Sequence, residues 1–236
     1  MSPVTPGTRV DPRHSGHAQL VVVRPPFGPP LRPGERPPAT AHDPAAARAA
    51  VLFLSSVAAI RGEHAPAPLQ HPGSPADRAE LDVVHAAVWG PALRISDPAL
   101  VEDGVLTGAL EDEFHAWRKR CPDARIVAAC ERDFGAAYLK ILVAVPGAPE
   151  LRVEGFDELE IDGDWRATLR AAGFDPELLG GDDEFGDDAF LDHDGLLHAL
   201  TGGALSVYAD EERRESAFVV ERTEEGEQEI REVWFS

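Results

Sequence analysis

Apolar residues alternate with polar ones most clearly in two adjacent stretches. Over 125–132, Ile126, Ala128 and Cys130 fall on one side. Over 136–145, Leu139, Ile141, Val143 and Val145 share one side, and Tyr138 and Lys140 take the other. With Asp133-Phe134-Gly135 as the turn, this period of two predicts an antiparallel hairpin with one face in the core. The same reasoning predicts strands over 19–23, 81–89, 151–153 and 158–161. In the second of these, Val83, His85, Ala87 and Trp89 share a face. A closing meander is expected over 204–209, 216–222 and 228–235, with turns at 210–214 and 224–226.

Other segments follow the helical period. Asp43-Pro44 pairs a good N-cap with the residue preferred at the first helical position. The helix it opens is expected to reach about residue 60, with Val51, Leu52, Phe53, Leu54, Val57 and Ile60 leaving it apolar on most faces and therefore buried. Thr107 opens a second helix to 120, where Leu110, Phe114 and Trp117 form one stripe and Cys121-Pro122 stops the chain. A third starts at Asp162 or Asp164, puts Trp165, Leu169 and Ala172 on one face and closes at Gly173. A fourth spans 189–200 and ends at Gly202-Gly203. No repeat with a period of roughly 20–50 residues occurs, and no strand–helix alternation is sustained, which excludes solenoids and a doubly wound parallel sheet. The expected fold is α+β, an antiparallel or mixed sheet of hairpins covered by helices, with a Pro-rich N-terminal extension.

Proline usage divides the chain. Eleven of the 21 prolines lie in the first 45 residues, so 1–42 reads as an extended or disordered segment, apart from a strand near 20–23 added to a sheet edge. The remainder, 43–236, reads as a single α+β domain with a possible sub-boundary near 146–150. Charge is equally uneven. Residues 150–236 hold 26 acidic and 7 basic side chains, net −19 of the chain's −20. Such a field disfavours nucleic acid and anionic membrane surfaces as partners. The first 20 residues contain no apolar run of the signal-peptide type, no stretch is long enough to span a bilayer, and two cysteines make no disulfide framework. Together these features predict a cytoplasmic protein.

The segments Trp89-Gly90, Ile95-Ser96-Asp97-Pro98-Ala99-Leu100, Pro122-Asp123-Ala124-Arg125-Ile126-Val127 and Asp133-Phe134-Gly135-Ala136, with the terminal Val233-Trp234-Phe235, have a familiar arrangement. The chain resembles an uncharacterised domain-of-unknown-function family of actinomycete bacteria over about 80–146 and the C-terminus. The resemblance implies a bacterial cytosolic protein and brings no activity, cofactor or site residue with it.

The motifs of chemistry are mostly missing. There is no Gly-x-Ser-x-Gly elbow, no Walker A loop and no Gly-x-Gly-x-x-Gly opening a helix. Cys130 alternates with apolar residues and reads as packing, and His85 beside Trp89 reads as a core histidine. Glu111, His115 and Lys119 read as a ladder on a helix surface. The run Asp182-Asp183-Glu184-Phe185-Gly186-Asp187-Asp188 is the densest set of carboxylates, but no register of it has an acid at both ends of an EF-hand loop. Asp194 and His198, spaced i and i+4, could join Asp187 and Asp188 around a divalent cation. No other cofactor is expected. The reading that these features favour is an acidic, non-enzymatic binding protein of immunity or regulatory type. It would engage a basic protein partner through Asp182, Asp183, Glu184, Asp187 and Asp188 in its C-terminal third. The alternative is an enzyme with a metal or acid/base site in the 182–198 region.

Overall fold

The central alternation forms the hairpin it predicts. In a computed structural model, β6 (Arg125–Asp133) and β7 (Ala137–Ala144) pair antiparallel, with Ile126 opposite Ala144. The structure describes residues 5, 7–28, 31, 35, 40–69, 73–105, 108–156, 158–176, 193–205 and 212–235. The other described strands are β1 (Ser15–Val23), β2 (Val57–Glu63), β3 (Ala67–Pro68), β4 (Val83–Trp89), β5 (Ala92–Ser96), β8 (Leu151–Gly155), β9 (Leu159–Asp162) and β10 (Arg214–Arg222). They form one sheet in the order β2-β10-β4-β5-β1-β6-β7-β8-β9, with β3 also pairing with β10, and every pairing is antiparallel. The fold is α+β.

Five described helices cover the sheet on both sides. Helices α1 (Pro44–Val51), α2 (Ala109–Arg120) and α5 (Glu224–Phe235) close one face around Leu20, Val84, Ile95, Ile126 and Phe218. Helices α3 (Trp165–Ala171) and α4 (His193–Thr201) close the other around Val21, Val127, Ile141 and Val143. This double cover changes the expected picture of the hairpin, which places only one face in the core. Tyr138 and Lys140, on the side read as outer, are both 3% exposed because α2 and its preceding loop lie over them. Among the described residues no helix is long and apolar enough to cross a membrane.

Three local expectations are corrected. The strand near 20–23 is longer than expected and sits in the middle of the sheet between β5 and β6, not at an edge. Its two faces, Ala18, Leu20 and Val22 against Val21 and Val23, each enter a different core layer. The helix opened by Asp43 ends at Val51 rather than near 60, and β2 follows. Buried acids from elsewhere take hold of the turn: Ser55 donates from N and Oγ to Glu113, and Ser56 Oγ donates to Asp97 at 2.7 Å. Strand β5 has no counterpart in the sequence reading.

The last correction is the C-terminus, where 228–235 is helix, not strand. Thr223 Oγ1 accepts from Gly226 N, acidic residues fill the first turn as the helix dipole favours, and Ile230, Val233 and Trp234 form a buried stripe. Gly226 is needed there, since a Cβ would stand 2.6 Å from Ser56 O. Of the expected strand at 204–209, only Ala204 and Leu205 are described, and they lie in a bend that follows α4.

Candidate functional site

Among the described residues, strand β9 ends the sheet. It pairs with β8 in regular register, Glu160 opposite Glu154 and Asp162 opposite Arg152. All four of its residues are exposed, including Leu159 at 40% and Ile161 at 45%. Alternation puts Leu159 and Ile161 on one face and Glu160 and Asp162 on the other. The acids of β9 are left with their charge. Arg152, opposite Asp162 in the register, gives both terminal nitrogens to Glu111 and its Nε to Glu154 at 2.6 Å. Among the described residues no ion pair reaches Glu158, Glu160 or Asp162.

Behind this edge lies a buried ionic network. Lys140 Nζ donates to Glu102 Oε2 at 2.7 Å and to Glu111 Oε2 at 2.9 Å. Glu102 also accepts from the backbone N–H groups of Leu110 and Glu111, and so caps α2 from outside the helix. Tyr138 donates to Glu154 at 2.5 Å. Burial pushes the Glu102 carboxyl above its ordinary value. Burial acts upward on Glu111 too, but the hydrogen bonds and charges of Lys140 and Arg152 outweigh it and hold this carboxyl below its ordinary value. The expected i, i+4 approach of Glu111 to His115 is kept, at 3.8 Å, but the Glu111 carboxylate is also engaged by Lys140.

A second polar arrangement crosses four strands on the α3/α4 side of the sheet. Arg94 Nε donates to Gln19 Oε1 at 3.0 Å, and Nη1 donates to Glu215 Oε2 at 2.7 Å. Glu215 Oε1 lies 3.4 Å from His85 Nδ1. Arg94 and Glu215 are buried, while the His85 side chain is 41% exposed. His85 lines a cavity of about 250 Å³ with His17, Ser74, Glu80 and Ser96. Burial draws the Arg94 guanidinium below its ordinary value, against the attraction of Glu215. His85 is therefore a cavity residue and not the core histidine expected, whereas Trp89 is buried and donates to Arg214 O. None of Gln19, Arg94, Glu215 and His17 is a candidate site residue in the sequence reading. Their numbers are too scattered to form a motif, and only strand order brings them together.

The residues singled out from sequence are placed as follows. Asp182, Asp183, Glu184, Asp187 and Asp188 lie outside the described residues. Asp194 is exposed and lines an open cleft with His17, Glu131 and Asp133. His198 is buried, and its Nε2 lies 3.0 Å from Glu35 O. Among the described residues no group of three or more His, Cys, Asp or Glu side chains is placed to hold a metal ion. Cys130 packs in the core, where burial pushes its thiol up to about 12.

Comparison with curated proteins and with solved structures gives no match. Comparison with family models gives one that runs almost from end to end, covering residues 2–236, and the chain belongs to the family of unknown function DUF6333.

Proposed function

We propose that this is an acidic, non-enzymatic binding protein of immunity or regulatory type, which engages a basic protein partner through its C-terminal third. The observation that carries the reading is the uncompensated charge at the sheet edge, where Glu158, Glu160 and Asp162 stand exposed while Arg152 is engaged inward. Net −19 over 150–236 exceeds the charge of magnitude about 2–8 that serves solubility in a small domain. Such a field speeds the encounter with a cationic surface. The test uses immobilised poly-L-lysine as probe. Association should slow as the Debye length falls from about 30 Å at 0.01 M salt to about 10 Å at 0.1 M. Glu158→Lys, Glu160→Lys and Asp162→Lys together should slow it more than Glu63→Lys, Asp112→Lys and Asp123→Lys, an equal change of charge at exposed positions outside that third. Equal effects would overturn the reading. Replacing Asp182, Asp183, Asp187 and Asp188 with Ser extends the comparison to the densest acidic run.

A second reading, an acid/base enzyme, is favoured by the buried Arg94–Glu215 pair set behind His85. A carboxylate at Nδ1 holds an imidazole in one tautomer. Nitrogen NMR should then find the proton of neutral His85 on Nδ1, and a mixture of tautomers would remove this reading. A metal-dependent enzyme would instead lose melting temperature in EDTA and recover it with Ca²⁺, Mg²⁺, Mn²⁺ or Zn²⁺.

A further inference from the structure

We infer that β9 is a strand-addition site, on which a partner lays an extended segment of alternating basic and apolar residues. The inference rests on the proposed reading and specifies the chemistry and conformation of what is bound. The two edges of the sheet differ. The β2 edge is blunted: its pairing with β10 slips at two points, and it leads into β3, which holds Pro68. Bulges and proline are ordinary protections of an edge. The β9 edge keeps its register with β8 without a slip and contains no proline. It also exposes Leu159 and Ile161, with Phe156 exposed at the turn that leads into it.

Charge chooses the occupant. A second copy of the chain pairing through β9 would bring Glu160 and Asp162 of both strands together on one face, and like charges opposite one another in a sheet are destabilising. Within the sheet, Glu160 already faces Glu154. A Lys or Arg on an added strand would relieve that repulsion. On the opposite face, an apolar side chain of the same strand would cover Leu159 and Ile161. Main-chain hydrogen bonds would supply affinity, and the alternate side chains would supply selection.

The experiment titrates the full chain with a short synthetic peptide of alternating Arg and Val. The same peptide with alternate backbone nitrogens methylated is the control for strand pairing. The plain peptide should bind saturably and slow amide exchange in β9, and the methylated one should bind roughly tenfold more weakly, about 1.4 kcal/mol. Leu159→Ser with Ile161→Ser, and separately Glu160→Lys with Asp162→Lys, should each weaken binding, whereas Glu224→Lys with Glu225→Lys should not. Equal binding of the two peptides overturns strand addition and leaves the charge-steered reading standing. Loss of both binding and the poly-L-lysine response removes the two together. A dimer in sedimentation that disappears with Ile161→Ser would overturn the choice of a foreign strand.

Discussion

Removing one charge from the network behind β9 gives the sharpest test of the structure. Lys140 is 3% exposed, and its Nζ is the cation that faces the fully buried Glu102. In Lys140→Met, Glu111 keeps its two hydrogen bonds from Arg152, but Glu102 is left with only the N–H groups of Leu110 and Glu111. Breaking a buried pair from one side costs about 3–5 kcal/mol, most of it the burial of the charge left behind. At about 2–4 °C per kcal/mol for a chain of this size, the melting temperature should fall by about 6–20 °C. Adding Glu102→Gln should recover at least half of the loss, since the amide oxygen still accepts from α2 and no charge is buried. The pH response has a definite sign. Burial already raises Glu102, and loss of Lys140 raises it further, so the folded single variant holds a proton that the unfolded chain releases. Its deficit against wild type should therefore shrink as pH falls through the raised value. Urea and thermal denaturation of the two variants measure all of this. A loss under about 1 kcal/mol, or a double variant no more stable than the single one, would refute the buried-pair argument.

Further outcomes are expected. Burial, followed by the charges of Glu232, Glu102, Glu225 and Asp112, raises the Glu229 carboxyl to about 7. Stability should thus fall as pH rises from about 4.5 to about 7, and Glu229→Gln should raise the melting temperature at about pH 8 but not at about pH 5; an equal gain at both would point away from ionisation. Val143→Ala, at a fully buried position under the α3/α4 layer, should cost roughly 1–3 kcal/mol in a urea titration, and an unchanged midpoint would mean that this face is not packed. Trp234→Ala should cost roughly 3–5 kcal/mol if 224–235 is a docked helix, because the ring is buried and its Nε1 donates to Pro98 O. Gly104→Ala should destabilise more than an ordinary loop substitution, measured by its melting temperature, since φ is +75° and a Cβ would stand 2.6 Å from the Tyr138 ring.

Local signals decided much of the fold. Where a segment's own period matched its surroundings, sequence and structure agree: the 125–145 hairpin, the Leu110, Phe114 and Trp117 stripe of α2 and the Asp164 cap of α3. Caps, turns and alternation act within a few residues, so the chain carries them without help from its fold. What failed depended on partners far along the chain. The first helix stops at Val51 because Glu113 and Asp97 bind Ser55 and Ser56, from about 40 to 60 residues away. Val233-Trp234-Phe235 looks like a strand by propensity, and becomes helical because Ile230, Val233 and Trp234 meet a core supplied by other elements. Strand order is the least local property of all. It set 15–23 at the centre of the sheet, gathered Gln19, Arg94, Glu215 and His85 from four strands, and left β9 at an edge. The sequence by itself therefore determined the α+β class and an acidic C-terminal third. Only tertiary structure decided which acids stand exposed beside an open strand and which are spent inside on Lys140 and Arg152, because burial depends on what packs above a residue and its neighbours in the chain do not record that.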